Sequence, residues 1–314
     1  MSKYVKVAVF SQADFVSLAS KPADRGLAEH AFRFLCTYLD RVAPDKPDLI
    51  VLPEQADRPH FPTTEERNAY YEERGDGVLR LLGDYARAHS SFIAYNAARR
   101  AEDGNLYNCT TLVDRKGTPI YRYDKNFPVV GEMTGNHITP GAHASVVDCE
   151  LGRVGAAICF DMNFEELRHE YAALKPQMVL FSSNYHAGMA RNFFAYDTRS
   201  YLIASIGGGL PGGIVNPLGV DICTTSSYER HAVATINLDY AVCHLDENRG
   251  KRLDALKRAY GPKVKIEVPS YLGPALITSE CEEKSAMDFV REFEIELLDD
   301  YLARSRAVRA EHLK

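Results

Sequence analysis

The sequence predicts a layered α/β protein with two β-sheets and helices outside them. Short apolar runs of strand length alternate with amphipathic helical stretches, which is typical of layered α/β architecture. The strand-like runs outnumber what a single sheet usually holds, so two sheets are expected. The chain has 314 residues, of which 46% are hydrophobic, enough to bury the core of one large domain or two smaller ones.

The amino-terminal half predicts strands and helices in alternation, followed by hairpins. Apolar and alternating runs predict the strands, recurrence of apolar residues at three- and four-residue spacing predicts the helices, and Lys-Gly and Leu-Gly turns predict the hairpins. In order, these elements are a strand at 5–10, a helix at 27–42, a strand at 48–54 broken at Pro53, a helix at 66–89, a strand at 91–98, a hairpin at 105–125 and a hairpin at 144–160.

The carboxy-terminal half begins with a helix at 163–174, because Asn163 and Glu166 have the spacing of a capping box. A strand at 177–184 follows, and later strands flank a turn at 216–219. A basic helical stretch then ends at a Gly-Pro pair, and an apolar face predicts a last helix at about 285–309. That face can pack on its own core or on a neighbouring subunit.

Charge and cysteine usage exclude several classes of protein. The net charge is −6, and no long block of Lys or Arg occurs, so nucleic acid is not an expected partner. No stretch approaches 18 apolar residues, and the start lacks the core of a signal peptide, so we expect a cytoplasmic protein without membrane contacts. The seven cysteines include no CxxC pair, which predicts free thiols.

Three predicted strand ends carry reactive side chains. Cys159 follows an apolar run, Glu54 follows a buried strand, and Lys125 ends an alternating strand. Each alone has an ordinary explanation, as a packed core cysteine or a solvated strand end. Together, a thiol, a carboxylate and an ammonium provide the nucleophile, general base and oxyanion-stabilising cation that acyl transfer requires.

The motifs VLPE, YRYDKNFP and GAAICFDMNFEEL resemble, in this order, those of the nitrilase superfamily of carbon–nitrogen hydrolases, in its amidase or N-carbamoyl hydrolase branch. The resemblance implies that Glu54 is the general base, Lys125 the oxyanion-stabilising cation and Cys159 the nucleophile. It also implies that Glu132, in VVGEMTG, helps to position the lysine. The TPG at 139–141 resembles the turn that the family places before its next strand.

The resemblance covers about residues 4–262, with departures near the nucleophile. Asn163 and Glu165 replace the Arg and Pro that amidase-type members commonly carry, and Arg199 lacks its usual neighbours. Nitrilases tend to carry Trp-Glu after the cysteine, whereas this chain contains no tryptophan. The pattern therefore favours amides or N-carbamoyl compounds over nitriles.

The implied mechanism passes through a Cys159 thioester and requires neither a metal nor an organic cofactor. Lys125 and the backbone N–H of Phe160 would hold the oxyanion. Position alone suggests that Phe160, Asn184, Tyr185 and His186 bind the substrate, although a structural role is as good an explanation for each. The remaining histidines that we considered, at 60, 137, 143, 231 and 244, have no metal-ligand spacing.

Other functions remain open. One alternative is a nitrilase that converts a nitrile to a carboxylic acid, and another is a binding or scaffold protein without catalysis. A class I glutamine amidotransferase is disfavoured because Cys159 is not flanked by glycine.

The resemblance further implies a four-layer α-β-β-α sandwich with two central mixed β-sheets. The expected organisation is a carbon–nitrogen hydrolase domain at 1–264 and a C-terminal helical extension at 265–314, which packs on the domain or on a neighbouring subunit. The expected partners are a small-molecule amide or carbamoyl substrate and further copies of the chain, in a homodimer or larger homo-oligomer.

Overall fold

The computed structural model of the chain describes residues 3–22, 24–61, 63–246, 248, 251–269 and 271–313. The chain divides into two compact units, a larger one of Lys6–Ala234 and a smaller one of Met1–Val5 with Thr235–Lys314. Among these described ranges, no helix has both the length and the hydropathy to cross a bilayer.

Two six-stranded sheets have the orders β12-β1-β2-β3-β4-β5 and β11-β10-β9-β8-β7-β6 once the strands are numbered along the chain, and all but the ends of β1 and β12 belong to the larger unit. Both sheets are mixed, because parallel strands at the centre are flanked by antiparallel hairpins. The strands are β1 (Tyr4–Phe10), β2 (Leu49–Val51), β3 (Phe92–Arg100), β4 (Leu106–Val113), β5 (Pro119–Asp124), β6 (Val146–Cys149), β7 (Gly152–Ile158), β8 (Met178–Ser183), β9 (Tyr201–Ile206), β10 (Gly213–Val215), β11 (Asp221–Thr224) and β12 (His231–Asn237).

The two sheets face each other and are joined by buried serines. The Ser182 hydroxyl on β8 donates to the backbone carbonyl of Leu52 at 2.8 Å, and Ser205 on β9 donates to that of Val51 at 2.6 Å. These bonds fix the end of β2 against β8 and β9, where the parallel strands of both sheets finish.

Helices cover the outer faces of both sheets and complete the predicted four-layer α-β-β-α sandwich. Apolar faces of α1 and α3 pack on the first sheet in one core cluster. On the second sheet, a Cβ at Gly155 of β7 would lie 2.5 Å from the ring of Tyr171 in α5, so only glycine allows this approach. The helices of this unit are α1 (Leu27–Val42), α2 (Thr64–Arg74), α3 (Gly77–His89), α4 (Val130–Thr134), α5 (Glu165–Leu174) and α6 (Met189–Thr198).

Two of the predicted helices differ from those observed. The helix expected at 66–89 is broken into α2 and α3 at Gly75, whose φ of 46° is outside the helical range. The capping box predicted at Asn163 is wrong. Cys159–Asn163 forms a 3₁₀ turn in which the Asn163 side-chain amide donates to the Phe160 carbonyl, and α5 begins only at Glu165.

The smaller unit is built on a three-stranded antiparallel sheet, β13-β15-β14, with its own apolar core. Residues on both sides of the predicted boundary at 264 therefore share one sheet, and the expected helix at 285–309 is two helices separated by residues 293–297. The elements of this unit are β13 (Tyr240–His244), α7 (Arg252–Tyr260), β14 (Val264–Glu267), β15 (Pro274–Ser279), α8 (Ala286–Glu292) and α9 (Leu298–His312). What the extension contacts stays a prediction.

Candidate active site

Glu54 follows the end of β2 and is buried, with 6% of its surface exposed. The next residue, Gln55, has a φ of 50°, and its backbone N–H donates to the side chain of Asn96 on β3 at 2.8 Å. A positive φ is uncommon for a residue other than glycine and concentrates at functional sites. This turn stops the chain from continuing as a strand and holds the carboxylate at the sheet end.

Lys125 follows β5 directly and is 1% exposed. Its backbone N–H donates to the Asn108 carbonyl at 2.8 Å, so the strand pairing of β4 and β5 sets its position. The ammonium donates to Glu54 Oε1 at 3.0 Å and to Glu132 Oε2 at 2.7 Å. A buried ammonium is costly unless it is paired, and here two carboxylates pair with it.

Glu132 lies in the short helix α4, seven residues after Lys125. Its Oε2 also accepts a hydrogen bond from the backbone N–H of Val129 at 2.9 Å. The role of Glu132 in positioning Lys125 stays a prediction.

Cys159 comes directly after β7 and has a φ of 48°. Because β7 is parallel to β8, the thiol lies beside the end of β8, where it interacts with the side chain of Ser183 and the backbone N–H of Asn184. The thiol is also close enough to the carboxylate of Glu54 to help lower the pKa of that group. The sharp turn turns the sulfur out of the strand and toward the buried charges.

The pKa values of the Cys159 thiol and the Glu54 carboxyl are shifted in opposite directions. Burial, and then the charge of Glu54, raise the pKa of the Cys159 thiol to about 12, although Lys125 opposes them. Burial also acts to raise the pKa of Glu54, but the charge of Lys125 and hydrogen bonds from Lys125 and Asn108 outweigh it and hold that pKa below its usual range. At neutral pH the site therefore contains a neutral thiol beside an ionised base.

The four predicted pocket residues have different surroundings. Asn184 donates from its backbone and its side chain to Glu54 Oε2, at 3.1 and 3.2 Å, so it holds the base. Tyr185 is 39% exposed and donates from its hydroxyl to Asn163 Oδ1 at 3.3 Å. Phe160 is exposed beside Cys159, and its ring meets that of Phe164 edge-on.

His186 accepts a hydrogen bond at Nδ1 from the backbone N–H of Gly188 at 3.2 Å. Burial and the nearby charge of Arg191 lower its pKa, which favours the neutral imidazole. Substrate binding by these four residues stays a prediction.

Two polar residues at the site have no predicted role. Asn108, on β4, donates from its side-chain amide to both Glu54 and Glu132. Asp161 is fully buried and accepts hydrogen bonds from the backbone N–H of Ile158 at 2.9 Å, from the hydroxyl of Tyr123 on β5 at 2.8 Å and from the backbone N–H of Phe127 at 2.8 Å.

Asp161 thus joins the end of β7 to the loop around Lys125. Burial raises its pKa to about 6. Of these two residues, only Asn108 has a signal in the sequence that could have identified it, because it is a polar amide within the strand β4.

No group of three or more His, Cys, Asp or Glu side chains suited to holding a metal occurs within the described part of the chain. None of the cysteines forms a disulfide within the described part of the chain, and Cys159 is among the four that are partly exposed.

The two-sheet sandwich and the buried cluster at its strand ends place this protein among the α-β-β-α hydrolases. The profile of the carbon-nitrogen hydrolase family matches residues 28–241, which is most of the chain. The chain therefore belongs to the carbon–nitrogen hydrolase family, within the nitrilase superfamily, and the predicted recognition is confirmed.

Relatives of known description are similar over part of the chain. Nitrilase homolog 2 of Dictyostelium discoideum is 24% identical over 228 residues, which cover 64% of this chain and 69% of that protein. The ω-amidase NIT2 of Homo sapiens is 26% identical over 157 residues, which cover 46% of this chain. The match spans 55% of the human protein.

Solved structures share the fold at low sequence identity. The NitFhit protein of C. elegans superposes with a TM-score of 0.64 at 18% identity, over 82% of this chain and 63% of that one. An amidase of Nesterenkonia sp. AN1, with acrylamide added to its active-site cysteine, has a TM-score of 0.60 at 16% identity. That match covers 74% of this chain and 92% of the amidase chain. These likenesses confirm the predicted sandwich.

Proposed function

We propose that this carbon–nitrogen hydrolase cleaves the amide or N-carbamoyl group of a small molecule through a thioester on Cys159. The observation that carries the proposal is the buried cluster in which Lys125 bridges Glu54 and Glu132 beside the thiol. A nucleophile, an ionised base and a cation gathered in one buried site are the groups that acyl transfer requires.

In the first half-reaction, Glu54 takes the proton of Cys159 as sulfur attacks the carbonyl carbon. The raised pKa of the thiol makes this transfer necessary, because little thiolate exists at neutral pH without it. Lys125 and the backbone N–H of Phe160 stabilise the oxyanion, and each good donor is worth roughly 3 kcal/mol in such sites. Glu54 then gives its proton to the departing ammonia or amine.

In the second half-reaction, Glu54 removes a proton from water, and the resulting hydroxide attacks the thioester carbonyl. The tetrahedral intermediate collapses with release of the carboxylic acid, and the proton returns from Glu54 to the sulfur. The net change is the addition of one water across the C–N bond, with every group of the protein restored.

The substrate class has support from the relatives and from the sequence. Relatives described as ω-amidases make ω-amides the first compounds to test. The absence of tryptophan after the cysteine favours an amide over a nitrile, as set out above. Cytoplasmic location and assembly into a homodimer or larger homo-oligomer stay predictions.

The proposal is tested by ammonia release from a panel of ω-amides, N-carbamoyl amino acids, simple aliphatic amides and nitriles. We expect release from one amide or carbamoyl class by the wild type and none by Cys159→Ala. Cys223→Ala is the matched control, because Cys223 is also a partly exposed free thiol but lies on the edge strand β11. Equal activity of Cys159→Ala and wild type would refute the mechanism.

The product pattern separates the alternatives. An amide path yields acid alone, whereas a nitrile path yields acid together with residual amide. Silence of the whole panel, combined with a Cys159 that does not react with iodoacetamide, would favour the binding or scaffold protein.

A further inference from the structure

The side chain of Asn108 lies between the two carboxylates of the site. It is fully buried at the third position of β4, and its amide nitrogen donates to Glu54 Oε1 at 2.8 Å and to Glu132 Oε1 at 3.0 Å. Lys125 donates to the same two side chains, through Glu54 Oε1 and Glu132 Oε2. The carboxylates are thus bridged twice, once by a cation and once by a neutral amide.

The orientation of the Asn108 amide follows from charge. If the amide were turned over, its oxygen would face two carboxylates, an arrangement of three acceptors with no proton between them. The NH₂ group therefore faces the carboxylates, and each of its two hydrogens is used. The amide oxygen has no hydrogen-bond partner among the described residues. A buried acceptor without a partner destabilises the folded protein, so the amide oxygen does not hold Asn108 in this position. The two hydrogen bonds from its amide nitrogen to the carboxylates do.

Lys125 alone cannot balance both glutamates, because one positive charge faces two negative ones. Two carboxylates that share a site tend to retain a proton, which would remove the base. The hydrogen bond from the neutral amide of Asn108 favours the ionised form of Glu54 and adds no charge that would compete with Lys125.

We propose that Asn108 is a positioning residue that keeps Glu54 ionised and at a fixed distance from Glu132, so that Glu54 can act as the base for Cys159. This inference rests on the proposed function for its meaning in catalysis. Its test uses a reaction of Cys159 that needs no substrate, so that the two can fail separately.

The experiment measures the rate at which iodoacetamide alkylates Cys159 from about pH 3, below the usual range of a glutamate carboxyl, to about pH 8, because the pKa of Glu54 is lowered. Mass spectrometry of the Cys159 peptide separates it from the other cysteines. We compare wild type with Asn108→Ala, Asn108→Ser, which keeps one donor, and Asn108→Asp, which replaces the donor with a third carboxylate. Cys109→Ala is the matched control, because it empties the adjacent buried position of the same strand.

We expect the acid limb of the profile to move to higher pH by about one unit in Asn108→Ala, since lost charge-assisted hydrogen bonds raise a carboxyl pKa by that order. The shift should be smaller in Asn108→Ser and larger in Asn108→Asp, whereas Cys109→Ala keeps the wild-type limb. If Asn108→Ala does not fold, Asn108→Ser carries the test.

A limb that stays in place in the Asn108 variants, or moves as much in Cys109→Ala, would show that Asn108 is structural only. If the limbs shift as expected but the wild type hydrolyses no amide, this inference stands and the proposed function fails. If the wild type hydrolyses an amide and no limb shifts, the function stands and the inference fails. A wild-type Cys159 that is unreactive at every pH overturns both.

Discussion

Replacing Lys125 with methionine should reverse the pH dependence of stability at this site. Methionine keeps much of the length and apolar volume of the lysine stem but removes the ammonium, which is 3.0 Å from Glu54 and 2.7 Å from Glu132. In the wild type, the charge of Lys125 is the largest influence that lowers the pKa of Glu54 against the effect of burial. Without it, Glu54 is a buried carboxyl beside a second carboxylate, and its pKa rises above the usual value.

The magnitude follows from the distance. At an effective dielectric constant near 20, two unit charges 3.0 Å apart interact by about 5 kcal/mol, in line with the roughly 3–5 kcal/mol lost when a buried pair loses one partner. The variant can avoid this loss by binding a proton, which costs about 1.4 kcal/mol for each pH unit above the ordinary value of 4.5. The added destabilisation is therefore under about 1 kcal/mol at pH 5 and reaches about 5 kcal/mol at pH 8.

The stability that Glu54 contributes changes with pH in opposite directions in the wild type and in Lys125→Met. In the wild type, the lowered pKa of Glu54 contributes stability above about pH 4.5 that is lost as the pH falls through the folded-state value. In Lys125→Met, the raised pKa makes the contribution favourable at low pH and lost as the pH rises. The gap in Tm between them should therefore widen with pH, by roughly 5–10 °C between pH 5 and pH 8.

The assay is thermal unfolding of both proteins at a series of pH values and constant ionic strength. Lys116→Met is the matched control, because Lys116 is an exposed lysine in the turn that precedes β5. Its Tm should differ from the wild type by a constant amount across the series. A gap for Lys125→Met that is independent of pH would show that Lys125 does not hold Glu54 ionised.

Three further substitutions test the supports of the site. In Gly207→Ala, the new methyl would lie 2.0 Å from Asn184 Oδ1 and would displace Asn184, which donates to Glu54. Alkylation of Cys159 should therefore slow at least about tenfold. An unchanged rate would contradict the role of Asn184. Asp161→Ala leaves three donors without their acceptor and should lower the free energy of unfolding by about 3 kcal/mol or more, measured in urea. A loss below about 1 kcal/mol would contradict the proposed link between the end of β7 and the segment around Lys125. Arg74→Met leaves the buried carboxylate of Asp57, three residues after Glu54, without its ion-pair partner. The free energy of unfolding in urea should fall by roughly 3–5 kcal/mol. An unchanged free energy of unfolding would show that the ion pair does not stabilise this segment.

The layers of the fold were predictable from the sequence because each element has a local signal. Apolar runs located the central strands, and turn glycines located both hairpins. The break between α2 and α3 was missed because Gly75 lies inside a continuous helical pattern, where one glycine is a weak signal. The start of α5 was placed too early because Asn163 bonds to a carbonyl of its own 3₁₀ turn instead of capping the helix, and spacing alone does not distinguish the two.

Glu54, Lys125 and Cys159 could be predicted because each stands at the end of a strand, where sequence patterns are informative, whereas Glu132 lies in helix α4 and was expected only from the family resemblance. Their polar supports could not, because these lie on other elements. Asn108 reaches Glu54 across 54 positions of the chain and Asn184 reaches it across 130, so only the pairing of strands brings them together. Asn184 was predicted to bind the substrate. The residue is exposed, but its backbone and side-chain N–H groups donate to Glu54 Oε2.

The arrangement of Lys125 explains why the site separates a neutral thiol from an ionised base. The ammonium is bonded to both carboxylates and acts on Cys159 only through its charge, so it lowers the pKa of Glu54 below the usual range, while that of the thiol rises to about 12. A cysteine paired directly with a cation would instead be a thiolate before substrate binds. Here the proton must leave sulfur as the new bond forms, and any change that raises the pKa of Glu54 should slow attack without altering Cys159 itself. Asn108, Asn184 and Lys125 all bond to that one carboxylate, which makes Glu54, and not the nucleophile, the group on which the supports of this site converge.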